Sequence, residues 1–113
     1  MKNDHNVLEC IRVECNRINR EAQKAYFDKH GEPGYCGFAW VECEVTRTNS
    51  KEAKRLRHLG FKPSWVPKRM DLWINQKVGT YGQSMDLKEA GARAVAEYLR
   101  TEGFDTSWNS RAD

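Results

Sequence analysis

Ten residues occur twice in recognisable form. Residues 56–65 read L-R-H-L-G-F-K-P-S-W, and residues 99–108 read L-R-T-E-G-F-D-T-S-W. Leu56/Leu99, Arg57/Arg100, Gly60/Gly103, Phe61/Phe104, Ser64/Ser107 and Trp65/Trp108 are identical between the copies. Each copy reads as the end of a helix, a glycine stop and the start of a strand. Glycine tolerates the left-handed backbone that a helix C-terminus often needs. A junction used twice points to two similar β-α-β halves, which limits the folds open to a chain of 113 residues.

Hydrophobic periodicity fills in the rest. Val7, Ile11, Cys15, Ile18, Ala22 and Ala25, widened by Leu8 and Tyr26, predict a first helix over 6–29. Gly31 and Pro33 stop it. Residues 35–47 alternate as a strand, with Ala39, Val41, Cys43 and Val45 on one face. Phe38, Trp40, Glu42 and Glu44 take the other face. Asn49 and Glu52 form a capping box for a short helix ending at Leu59, and Asp86 and Glu89 form a second for a helix ending near Glu102. Phe61–Val66 is read as a strand that Pro63 confines to an edge, a bulge or a bend. Residues 69–75 and 104–109 complete the set of strands. Gly91 costs about 1 kcal/mol relative to alanine in mid-helix, so a close approach to a sheet is expected there.

The order after the first helix is β-α-β-β-α-β, the split arrangement of ferredoxin-like α+β folds. One domain is expected over 1–113, with an N-terminal helix (1–31) joined to the β-α-β-β-α-β unit (35–113). The chain lacks the long apolar run of a transmembrane helix. Its opening residues Met1–Asn6 are polar, with no apolar secretion segment, so a cytoplasmic location is expected.

Chemistry is harder to find than architecture. Cys10, Cys15, Cys36 and Cys43 lack the two-residue gap of zinc knuckles and redox motifs. Buried or idle thiols are expected. His5, His30 and His58 are scattered, and no metal or cofactor site is read. No Gly-x-Ser-x-Gly elbow is present, and the glycine-rich loop of acylphosphatases has no match. A remote enzymatic reading would use Cys36 or the Glu42/Glu44 pair. Gly79-Thr80-Tyr81-Gly82 has the form of a GXXG clamp, but it joins a strand to a helix and reads as a flexible loop. The expectation is a protein that is not an enzyme.

Two surfaces stand out instead. Net charge is +3, yet residues 47–69 carry eight cations and one acid. Lys51, Lys54, Arg55 and His58 cluster on the short helix, with Arg47 and Lys62 near its ends and Arg69 beyond. Phe38, Trp40 and Trp73 would share the sheet face opposite the helices. In nucleic-acid-binding domains of this topology, aromatics there stack unpaired bases. Against that, the first helix needs a home for its apolar stripe. The favoured expectation lays it across those aromatics as a second core, with Glu42 and Glu44 repelling phosphates; pairing of this helix in a homodimer is another outcome.

The segments Cys36-Gly37-Phe38-Ala39-Trp40-Val41, Asp71-Leu72-Trp73-Ile74-Asn75 and Lys88-Glu89-Ala90-Gly91-Ala92, with the terminal Ser110-Arg111-Ala112-Asp113, resemble small accessory proteins of tailed phages and prophages. The resemblance covers residues 36–113 and leaves out the first helix. It implies a phage origin, host cytoplasm as the place of action and no catalytic residues. It also implies binding to a host protein or nucleoprotein, with counter-defence of the anti-CRISPR kind as one form. The leading expectation is such a binder, acting through the basic helix and the aromatics beside it. The alternative is a module that takes RNA or single-stranded DNA directly on Phe38, Trp40 and Trp73.

Overall fold

The computed structural model describes residues 4–32, 34–80 and 82–113. Met1–Asn3 of the polar opening, Pro33 of the helix stop and Tyr81 of the Gly79–Gly82 segment lie outside the described residues. The elements are α1 (Asp4–His30), β1 (Gly37–Glu44), α2 (Lys51–His58), β2 (Lys62–Pro63), β3 (Arg69–Trp73), α3 (Met85–Thr101) and β4 (Thr106–Ala112). The four strands form one antiparallel sheet in the order β2-β3-β1-β4. The fold is α+β, three helices on a four-stranded sheet.

The repeated junction behaves as one device used twice. Gly60 and Gly103 have positive φ, 104° and 95°. At the first, Gly60 N donates to Arg57 O and Phe61 N to Leu56 O; at the second, Gly103 N donates to Arg100 O and Phe104 N to Leu99 O. Both are Schellman turns, in which a left-handed residue lets the chain satisfy the last carbonyls of its helix. Leu56, Phe61, Leu99 and Phe104 are all buried, so each turn is closed by the apolar contact that usually accompanies it. The copies then part. Thr106–Ala112 is a full strand, whereas Pro63 removes a donor and β2 stops after two residues at the sheet's edge. Trp108 ends half-buried on the sheet, while Trp65 is 85% exposed in the β2–β3 connection.

Alternation sorts the sheet into two faces. Cys43 pairs with Met70 and Thr106, and Val41 with Leu72 and Trp108; facing partners in a ladder project to the same side. With Ala39 they meet α2 through Ala53 and Leu56, and α3 through Ala92, Val95, Ala96 and Leu99, in one core. Caps differ from expectation by small steps. Ser50 rather than Asn49 caps α2, its Oγ accepting from Ala53 N at 3.2 Å. Ser84 rather than Asp86 precedes α3 and makes no side-chain cap.

The first helix corrects the favoured expectation. It lies against α3 and α2, on the helix side, and leaves the aromatic sheet face open. Its buried line is Leu8, Ile11, Cys15, Asn19 and Gln23. The last two replace Ala22 and Ala25, which stay half-buried and exposed. Gln23 Nε2 donates to Asn19 Oδ1 at 2.6 Å and to Asn75 O at 2.8 Å, and its Oε1 accepts from Lys77 N at 2.7 Å. One buried amide thus ties α1 to the chain just past β3 and satisfies backbone groups that a buried position would otherwise orphan. Gly91 is where α1 and α3 meet. A Cβ there would overlap Asn19 Oδ1 and stand 3.0 Å from Gln23 Nε2. The close approach expected at Gly91 is therefore to a helix, not to the sheet.

At the other rim, β4 turns the backbone of Thr106, Trp108 and Ser110 away from β1. Arg100 Nε donates to Thr106 O at 2.8 Å, and Ser110 N donates to Asn109 Oδ1 at 2.8 Å.

Candidate functional site

β1 and β3 bring the aromatics together because their register sets Trp40 opposite Trp73. Ile74 N donates to Ala39 O and Val45 N to Lys68 O, so 40 and 73 fall at a pair without hydrogen bonds between them. Side chains approach more closely at such pairs. The Trp40 and Trp73 rings lie 4.9 Å apart, tilted by 38°, and Phe38 meets Trp73 edge to face at 5.9 Å. Trp73 is 47% exposed, and Phe38 and Trp40 are half-buried. One cation borders this cluster, and a second, Lys88 of α3, is buried at 6% exposure against its Phe38 end. Arg111, opposite Phe38 on β4, places its guanidinium carbon 5.9 Å from the Phe38 ring centre. Lys88 Nζ lies 5.2 Å from the same centre and donates to Gly37 O at 3.0 Å.

The carboxylates on this face are held by a neighbour. Arg69 Nε donates to Asp71 Oδ1 at 2.9 Å, and its Nη1 sits 3.2 Å from Glu42 Oε1. Glu42 Oε1 also accepts from Trp40 Nε1 at 2.8 Å. Arg69 offsets one of the triad's two carboxylates, Glu44 stays exposed on the same face, and the triad fixes the Trp40 indole through its N–H. Arg69, a candidate ligand-binding cation, is committed to Asp71 and Glu42.

The remaining basic residues lie elsewhere. Lys51, Lys54, Arg57 and His58 are exposed on α2, on the helix side of the sheet. Arg55 is half-buried, ion-paired with Asp4 at 3.3 Å and stacked over Phe104 at 5.2 Å. His58 packs edge to face on His5 at 5.1 Å. Arg47 is exposed ahead of α2. Lys62 is exposed on β2 opposite Asp71, hence on the aromatic face. The basic helix and the aromatics expected beside it are thus on opposite sides of the sheet. Sequence reasoning missed Arg111 and Lys88. Register would have given Arg111, which alternates with Asn109 and Ser107 on one face of β4; Lys88 carried no signal, since it reads as a solvated helix position.

Glu32 reaches the segment after β3. Glu32 Oε1 accepts from Thr80 N at 2.7 Å, and Glu32 Oε2 accepts from Gln76 Nε2 at 2.6 Å. Among the described residues, no three His, Cys, Asp or Glu side chains are grouped to hold a metal ion. No helix among them is long and apolar enough to cross a membrane.

Burial divides the four thiols. Cys10 and Cys36 are exposed; Cys15 and Cys43 are buried. Burial first, then Glu14 and Glu102, pushes the Cys15 thiol up to about 12. Burial first, then Glu52 and Asp105, pushes Cys43 up to about 11. Both stay protonated through pH 9 and lack the thiolate that alkylation needs. Iodoacetamide at pH 8 should add two groups to the native chain, on Cys10 and Cys36, and four after unfolding in urea. Mass spectrometry reads the count, and a third native adduct would contradict the burial.

No protein family, curated protein or solved structure matches the chain.

Proposed function

We propose that the open sheet face binds single-stranded nucleic acid without bond-making chemistry. The observation that carries this reading is the uncovered Phe38–Trp40–Trp73 cluster bordered by Arg111. Bases are flat and apolar on their faces, and stacking each on an aromatic ring is worth about 1–3 kcal/mol. Trp73 offers the most open ring of the three, and Arg111, beside Phe38 across the β1–β4 ladder, supplies a cation for a phosphate. We also place the chain among split β-α-β-β-α-β folds of the ferredoxin-like kind. Read from β4, the neighbours run β4-β1-β3-β2 with both crossover helices on one side, an order that supports this assignment.

Titration of the full chain with short oligonucleotides, followed by tryptophan fluorescence, tests the proposal. Trp73→Ala should weaken binding by about tenfold, from the loss of one stacking ring. Arg111→Ala should lower the slope of log affinity against log salt by about one. Trp73 is half exposed, so its loss should leave the fold standing. Unchanged fluorescence at low salt with both RNA and DNA would refute the proposal.

A second reading rests on α2. Lys51, Lys54 and Arg57 are all exposed on the side away from the aromatics, an arrangement suited to an acidic host protein or nucleoprotein, as for a phage accessory or counter-defence protein. Lys51→Glu with Lys54→Glu separates the two. It should abolish capture of such a partner from nuclease-treated lysate and leave oligonucleotide binding by the aromatic face within about twofold.

A further inference from the structure

The Gly79-Thr80-Tyr81-Gly82 segment, which the aromatic site leaves unused, already holds an anion. Glu32, just past the end of α1, sets its carboxylate against it. Oε1 accepts from Thr80 N at 2.7 Å and from Thr80 Oγ1 at 3.1 Å. Oε2 accepts from Gln76 Nε2 at 2.6 Å. Gly79, at a left-handed φ of 89°, lies close against the same group, and a Cβ there would stand 2.5 Å from the carboxyl carbon. A main-chain amide, a hydroxyl and a side-chain amide thus converge on one oxyanion, beside a glycine that lets it approach. Concave backbone of this kind is a recurrent receptor for phosphate.

The receptor adjoins the aromatic end of the sheet. Gln76 follows Trp73 by three residues, a reach of about 10 Å at most. At the far end of the loop, Ser84 bridges Cys36, which precedes Gly37 and Phe38. Gln76 Oε1 accepts from Ser84 N at 2.7 Å and so joins the two ends. Gly79 and Thr80 are exposed and Glu32 is half-buried. The carboxylate is therefore open to exchange with an anion from solution.

We propose that Gln76, Gly79 and Thr80 form a phosphate site that Glu32 plugs, and that a backbone phosphate of a strand on the aromatic face displaces the plug. The source of the phosphate rests on the nucleic-acid reading; the site itself does not. Phosphate shares with the carboxylate a negative charge and accepting oxygens, so donors that satisfy one satisfy the other. While Glu32 is seated, the site is closed, and apparent affinity falls with the fraction of molecules left competent. Glu32 is thereby an internal brake on binding.

Amide NMR of the full chain, titrated with inorganic phosphate at constant ionic strength, tests the site without nucleic acid. In Glu32→Ala the Thr80 amide should shift and saturate; in the plugged wild type it should move far less. A Thr80 amide that ignores phosphate in Glu32→Ala would overturn the proposal. Oligonucleotide titration tests the source. Glu32→Ala should bind about fivefold tighter than the wild type. Its slope of log affinity against log salt should steepen by about one, and adding Thr80→Val should give back part of the gain. A scaffold damaged by the loss of Glu32 would bind more weakly, so the sign of the change separates the two explanations. Glu32→Gln keeps the shape of the side chain and removes its charge, and should act in the same direction by less. Failure of both variants to bind tighter than the wild type would overturn the displacement. If neither the wild type nor Glu32→Ala binds an oligonucleotide, the nucleic-acid reading falls and the displacement with it, while a saturating Thr80 shift still supports the phosphate site.

Discussion

Gly91→Ala lowers the unfolding free energy by about 2 kcal/mol, although alanine is the better helix former by about 1 kcal/mol. The added methyl would occupy the space of Asn19 Oδ1 at the closest point between α1 and α3. Asn19 would have to swing away, and Gln23 Nε2 would lose one of its two acceptors. Overpacking of this kind costs about 1–3 kcal/mol, and leaving a buried polar group short of a partner costs about as much again. Together these outweigh the helix-propensity gain. Urea denaturation measures the change. Adding Asn19→Ala to Gly91→Ala should recover part of the loss, because it vacates the contested space. Strictly additive losses would show that the two positions do not meet.

Arg69→Met costs more, about 3–5 kcal/mol, through the penalty of stranding buried charge. Asp71 is 3% exposed, and Arg69 is its partner through two hydrogen bonds. Glu42 loses the same counter-charge. Removing Asp71 as well should recover much of the stability, since a buried pair replaced as a pair is often neutral. Thermal or urea unfolding of Arg69→Met and of Arg69→Met with Asp71→Leu gives the comparison. If Arg69→Met unfolds as the wild type does, the triad is not holding the sheet face. The expected loss also sets a rule for site mutagenesis: reduced binding by an Arg69 variant reports a damaged scaffold first, whereas Trp73 and Arg111 report contacts.

Much of the architecture was legible because the repeated junction carries its own mechanism. Leu56, Gly60 and Phe61 specify a helix end with an apolar clamp, as do Leu99, Gly103 and Phe104, and both form. Ser64 and Trp65 were not readable by the same analogy, because β2 ends at Pro63 and the chain turns after Ser64 N bonds Arg69 O, where Ser107 and Trp108 continue a full strand. The first helix misled for a different reason. Apolar periodicity favours Ala22 and Ala25, but Asn19 and Gln23 are buried because their amides bond across α1 and the backbone past β3, a partnership local spacing does not encode. The home of α1 did leave a trace in Gly91, whose missing side chain was assigned to the wrong neighbour. The aromatic cluster followed from alternation along β1 and β3. Its openness did not, since that depended on where a distant helix settled.

The two rims of the sheet have a consequence for behaviour in crowded solution. Growth of a sheet by strand addition needs a run of free amides and carbonyls. Pro63 denies a donor at one rim, and Arg100 and Asn109 cover Thr106 O and Ser110 N at the other. A foreign strand laid along β4 would have to displace a guanidinium before its ladder could close. Strand addition is thereby hindered at Pro63, Thr106 and Ser110, and along β4 it is left the backbone of Trp108 between them.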